Sequence, residues 1–231
     1  MASPLITILQ GLGHNVHPVV PFNPDHDRLL ALDFTAANNA LMADIIEDTT
    51  LFSAYVEQRL QRTGARYGIG GYDEHRTVYS RSRVFDAPDG GEPRRLHLGT
   101  DIWGAAGTPV FAPLSGTIEA TAFHNRLGDY GAMLIVRHEV DGLSFYTLYG
   151  HLSAADLHWQ PGQEAEAGTL LAHFGPPAEN GQWPPHLHFQ LLLDLQDHVN
   201  DYPGVCRYSE REQYLANCPD PDYLLQLNRY L

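Results

Sequence analysis

Positive charge is scarce in this sequence: Lys and Arg total 14 against 28 Asp and Glu, a formal net charge of -14 at pH 7. Such a field repels phosphate backbones and anionic lipid surfaces, so neither nucleic acid nor a membrane is an expected partner. An acidic balance of this kind more often serves solubility than binding. Cysteine is nearly missing. Cys206 and Cys218 are the only two, and they lack the paired close spacings of a zinc ribbon, so they read as structural thiols. No segment approaches the roughly 20 consecutive apolar residues of a membrane span. The opening residues, from Met1 to Gln10, carry no basic residue ahead of a short apolar run. They do not read as a secretory leader, and a cytoplasmic location is the expectation.

What is present is globular. Of 231 residues, 43% are hydrophobic and 18% charged, enough apolar material for a real core and too little charge for a disordered chain. Pro18, Pro21 and Pro24 predict an extended N-terminal arm with little regular structure. Thr35 is placed to cap a helix from Ala36 to about Glu47, and Asp48 or Thr49 to cap a second through Gln61. Phe52, Tyr55, Val56 and Leu60 fall on one face of that second helix, and Gly64 is its stop signal.

After Gly71 the texture changes to short alternating runs punctuated by Gly, Pro and Asp, which reads as mainly β structure. Strands are predicted over Thr77–Val84, Thr108–Phe111, Gly116–Ala122, Ala132–Glu139, Leu143–His151, Thr169–Phe174 and His186–Leu193, with a tight hairpin at Asp141-Gly142. From Ser209 the pattern turns helical, broken at Cys218-Pro219-Asp220-Pro221. The expected division is an arm and helical extension over 1–71, a β domain over 72–200 and a helical extension over 201–231.

Thirteen histidines are present, and spacing selects among them. His97-Leu98-Gly99-Thr100-Asp101, Tyr149-Gly150-His151 and His186-Leu187-His188 stand out. On a strand, alternate residues share a face, so His186 and His188 emerge together, about 6–7 Å apart. His97 and Asp101 share a face if their segment is extended, with Gly99 leaving room for an ion. Zinc takes imidazole nitrogen and carboxylate oxygen in tetrahedral geometry, and catalytic sites keep three protein ligands and one open position. Amide hydrolysis also needs a proton acceptor and donor beside the attacking water. These residue types supply all of that.

Arg95-Leu96-His97-Leu98-Gly99-Thr100-Asp101-Ile102, Gly107-Thr108-Pro109-Val110-Phe111-Ala112-Pro113 through Gly116, Tyr149-Gly150-His151-Leu152, Gly162 with Gly168, and Pro185-His186-Leu187-His188-Phe189 occur in an order that resembles the lysostaphin-type zinc endopeptidases, which cut peptides of bacterial cell walls. The resemblance spans about Arg95 to Leu193. It implies an antiparallel lysostaphin-like β-sheet domain and one zinc ion per chain, held by His97, Asp101 and His188, with His151 and His186 as the catalytic histidines. The stretch from Asn180 to Phe189 is also similar to the middle portion of larger fused cytoplasmic proteins with kinase-like and aminotransferase-like parts.

Four further residues are candidates for a substrate groove. Alternation places Tyr149 on the face of His151; Asn180 and Trp183 lie in a Pro-stiffened loop before the closing motif; and Arg76, in the polar Tyr72–Tyr79 segment, could hold a substrate carboxylate or form a structural ion pair. The expected substrate is a peptide or peptide-like molecule. Two other classes compete: a zinc-retaining binding or regulatory module without turnover, and a group carrier. The second needs a modifiable lysine or a single phosphorylated histidine, and the sheet region has no lysine.

Overall fold

The computed structural model describes residues 4–12 and 16–231; residues 1–3 and 13–15, part of the expected arm, lie outside them. Among the described residues the strands are β1 (Leu29–Leu32), β2 (Tyr67–Gly70), β3 (Leu96–His97), β4 (Thr100–Trp103), β5 (Pro109–Phe111), β6 (Gly116–His124), β7 (Gly131–Val140), β8 (Leu143–Leu152), β9 (Glu164–Ala165), β10 (Leu170–His173), β11 (His186–Leu192) and β12 (Val205–Cys206). Eight build one sheet in the order β1-β2-β4-β11-β8-β7-β6-β9, antiparallel except for the β1–β2 pair. β5 with β10 and β3 with β12 form two small antiparallel ladders. The fold is mostly β, as expected.

Alternation along the central strands fills both faces of the sheet. In β11, Leu187, Phe189 and Leu191 point into one core with Phe145 and Tyr149. His186, His188 and Gln190 occupy the opposite face, where Leu192 joins Met133, Ile135 and Leu148. The polar stretch of β11 is therefore backed, on the reverse side of the same strand, by Leu187, Phe189 and Leu191. The β7–β8 hairpin turns at Asp141-Gly142, both with positive φ (51° and 77°), as a two-residue turn of this kind requires.

Helix α3 (Thr49–Thr63) matches its sequence signals. The Asp48 carboxylate accepts from the backbone N–H groups of Thr50 and Leu51, satisfying two donors the helix leaves open, and Gly64 ends it at φ 65°. Its buried Phe52 and Val56 pack with Phe34, Trp103 and Trp183. Helix α2 (Ala43–Glu47) is much shorter than the predicted Ala36–Glu47. Asp33, Thr35 and Asn38 each accept a backbone N–H two residues ahead, and these local turns replace the missing helical turns. The arm contains a helix after all, α1 (Pro4–Leu12), whose Leu5 and Leu9 enter the core. The C-terminal region splits into α4 (Arg211–Asn217) and α5 (Asp222–Leu225), as the proline break predicts.

One further correction bears on the site. Thr77–Val84 is not a strand; it forms 3₁₀ turns over Val78–Arg81 and Arg83–Phe85, with Val78, Tyr79 and Arg81 buried. Strand pairs join the segments on either side of positions 71/72 and 200/201. β2 pairs with β4, placing Gly70 opposite Asp101, and β12 pairs with β3, placing Val205 opposite His97. Cys206 and Cys218 are buried free thiols. Among the described residues, no helix is long and apolar enough to cross a membrane.

Candidate metal centre and active site

Three donor atoms converge on the polar face of β4 and β11. His188 stands opposite Asp101 across the β4–β11 ladder, and His97 reaches the same point from β3. The spacing is 2.9 Å between His97 Nε2 and His188 Nδ1, and 3.2 Å from each of them to Asp101 Oδ1. A tetrahedral ion about 2.0–2.1 Å from each ligand needs its donors roughly 3.3 Å apart, so the triangle has the right size. Among the described residues, these three form a set whose donor atoms all lie within 4.8 Å of one another.

The outward-facing atoms decide the protonation of the rings. His97 Nδ1 lies 2.9 Å from the Gly71 carbonyl oxygen, which only accepts, so Nδ1 carries the proton and Nε2 a lone pair. His188 Nε2 donates to Gln190 Oε1 at 2.8 Å, while the Gln190 amide nitrogen is turned to the Pro203 carbonyl. His188 Nδ1 therefore also carries a lone pair. Two neutral imidazoles meeting lone pair to lone pair beside a carboxylate repel one another, and a cation between them relieves that repulsion. The donor set fits a divalent metal such as zinc.

His151 and His186 repeat the pattern. Their Nδ1 atoms donate to the carbonyl oxygens of Asn180 (2.9 Å) and Pro184 (2.8 Å), leaving both Nε2 atoms bare. The two rings lie 4.1 Å apart between centroids, and His186 stacks on Trp103 at 3.8 Å and 14°. His186 Nε2 is 3.9 Å from Asp101 Oδ1.

All five residues are buried. Burial pushes the His97 and His186 imidazoles down to about 4, the Arg76 charge adding to the effect at both. It also holds His151 well below its ordinary value, reinforced by His186 and His188. Burial alone would raise the Asp101 carboxyl, but His97, Arg76 and His186 outweigh it and keep that group well below the usual carboxylate range. At neutral pH His97, His151 and His186 are therefore neutral imidazoles around an ionised carboxylate.

The groove candidates separate. Trp183 lines the same cleft of about 210 Å³ as His151, His186 and His188, and its ring centroid lies 6.4 Å from that of His151. Asn180 is fully buried and does not line the cleft. Its side chain bonds the Gly175 and Trp183 backbones, and its carbonyl accepts from His151. Arg76 faces the cleft, but its guanidinium is committed to Asp101 and Glu74.

Tyr149 is a correction. It lies in the core on the reverse face of the sheet, its ring 5.3 Å from Phe189 and its hydroxyl hydrogen-bonded to that of Thr147. Strict alternation puts residues 149 and 151 on one face, but the β7–β8 register shifts there and His151 takes φ 63°. That kink brings His151 alone round to the site. Gly99 is a second correction, because the space above it holds the His188 ring: a Cβ there would stand 2.6 Å from His188 Cε1.

Sequence reasoning missed Gln190, Tyr130 and the Gly71 carbonyl. Gln190 was legible, two residues beyond His188 on the same strand face. Tyr130, whose ring lies 5.4 Å from that of His188, sits in a loop without periodicity, and a backbone carbonyl leaves no trace in side-chain identity.

The profile described as Peptidase family M23 matches residues 95–200, the stretch that holds all five site residues. A 91-residue stretch, 39% of this chain, is 33% identical to Lipoprotein NlpD of Yersinia enterocolitica and covers 84% of it. The chain belongs to peptidase family M23. A stretch of 147 residues, 60% of the chain, is 32% identical to the L-Ala--D-Glu endopeptidase of Bacillus subtilis (strain 168) and covers 43% of that protein. This M23 chain thus spans less than half the length of the Bacillus relative. Among solved structures it is similar to the antimicrobial peptidase lysostaphin from Staphylococcus simulans, 27% identical with a TM-score of 0.40, over 58% of this chain and 45% of that one.

Proposed function

We propose that this M23 chain is a zinc-dependent hydrolase of an amide bond in a peptidoglycan-derived or other peptide-like substrate. The observation that carries this is the convergence of three unprotonated donors, His97 Nε2, Asp101 Oδ1 and His188 Nδ1, within 3.2 Å of one another, beside two further imidazoles with bare Nε2 atoms. Bound there, zinc would polarise the scissile carbonyl and make water a nucleophile at neutral pH.

The chain's own residues supply the rest. His151 and His186 provide the acceptor for the proton that leaves water and, once protonated, the donor for the departing amine. Their Nδ1 bonds to the Asn180 and Pro184 carbonyls hold each ring in the tautomer that presents Nε2 to the cleft. The stack on Trp103 fixes the plane of His186. Trp183 and Tyr130 wall the cleft with aromatic surface, limiting water around the reacting carbonyl. The M23 assignment and the L-Ala--D-Glu specificity named for the Bacillus relative support a cell-wall peptide.

The test is to incubate zinc-loaded protein with muropeptides and with unrelated peptides and to read the products by mass. New amine and carboxylate fragments from muropeptides, abolished by a chelator and restored by zinc, are expected. Intact substrates in the presence of full zinc would replace this reading with that of a binding module.

A further inference from the structure

Two of the three metal-facing residues are held from outside the stretch that the M23 family profile matches. β2 and the turn after it precede residue 95, where the match begins. The Gly71 carbonyl accepts from His97 Nδ1 at 2.9 Å and from Arg76 Nη2 at 3.3 Å. Arg76 Nη1 donates to Asp101 Oδ2 at 2.5 Å, and Arg76 Nε to Glu74 Oε2 at 2.6 Å. Only 1% of the Arg76 side chain is exposed. A buried guanidinium persists only where its donors are met by carboxylates or carbonyls, and here they are.

We propose that Arg76 is a positioning residue of the metal centre, and that the segment from Gly70 to Arg76 completes a site the family stretch leaves unfinished. Arg76 occupies Asp101 Oδ2, so only Oδ1 is free to face the ion, and the carboxylate cannot rotate away or bind through both oxygens. Glu74, accepting from Arg76 Nε at 2.6 Å, fixes the guanidinium in that orientation. Gly70 makes the arrangement sterically possible: a Cβ there would stand 2.8 Å from Arg76 Nη2 and 3.4 Å from Asp101 Cβ. The inference rests on the zinc reading of the site given above.

The test compares wild type with Arg76→Lys, which keeps a charge but cannot span both carboxylates, and Gly70→Ala, which displaces the guanidinium without removing it. Zinc affinity is measured by competition with a chromophoric chelator, and the cobalt(II)-loaded proteins are compared by visible absorption. Thermal melts of the metal-free proteins confirm that each variant is folded. Both variants should bind zinc about 10- to 100-fold more weakly, the usual cost of losing a partner behind a ligand, with weaker cobalt absorption as coordination departs from four. Unchanged or tighter affinity with an unchanged cobalt spectrum, in either folded variant, overturns the proposal while leaving the zinc site intact. Wild-type protein that binds no zinc overturns the reading of the site and this proposal with it.

Discussion

His188 on β11 stands directly across from Gly150 on β8, and the space that a side chain at 150 would need is filled by the ring of Tyr130, whose Cδ1 would lie 2.5 Å from such a Cβ. The glycine of the Tyr149-Gly150-His151 motif thus lets an aromatic ring close over a metal-facing imidazole. Gly150→Ala should cost about 1–3 kcal/mol of stability, the range for overpacking a filled interior. It should also weaken metal binding, because the Tyr130 ring moves. Urea titration and zinc competition check both effects. An unchanged urea midpoint would show that the ring has room to spare.

Tyr149 and His151 make the complementary case. Tyr149→Phe should leave hydrolysis unchanged and lower stability by about 0.5–1.5 kcal/mol through the lost bond with Thr147. Turnover rates and melting curves of the same preparation separate the two, and a large drop in rate with intact stability would return Tyr149 to the groove.

His151→Ala should keep zinc and lose roughly 10²- to 10⁴-fold in kcat with little change in KM, since it removes a proton-transfer group and no ligand. Metal analysis alongside steady-state kinetics measures this. Loss of zinc in this variant would make His151 a ligand.

These residues show where the sequence was readable. The strands β6, β7, β8 and β11 follow from alternation because both of their faces are packed and register is strongly specified there. The five site histidine and aspartate positions follow from spacing and from the resemblance to known peptidases. Tyr149 failed because one residue with positive φ reverses the alternation, and nothing in Tyr-Gly-His announces it. Thr77–Val84 failed because its alternating apolar residues close 3₁₀ turns against Phe34 and Phe85 and pair with no strand. Arg76 was visible as a candidate for an ion pair, but its partner, 25 residues away, was set by the pairing of β2 with β4.

Away from the candidate metal centre, His138 is buried, with Nδ1 donating to the Ser115 carbonyl and Nε2 paired with Thr147 Oγ1. Burial pushes its pKa down to about 4, only partly offset by the bond to Ser115. In the unfolded chain the group titrates near 6.5. The unfolded state therefore binds the proton first as pH falls, and stability drains away between about 6.5 and 4 at up to about 1.4 kcal/mol per pH unit. Above that window the group has no effect on the slope. His138→Asn should flatten the acid limb of a plot of unfolding free energy against pH by about one proton. Equal slopes for the two proteins would mean that His138 is protonated in the native state.

The most direct measurement is zinc titration of metal-free protein by calorimetry, run in parallel on wild type and His188→Ala. The convergent donors predict one equivalent bound tightly by wild type and a severe loss of affinity in the variant, because two ligands remain where three were arranged. Equal stoichiometry and affinity in both proteins, or no binding by wild type, would contradict the account of this site.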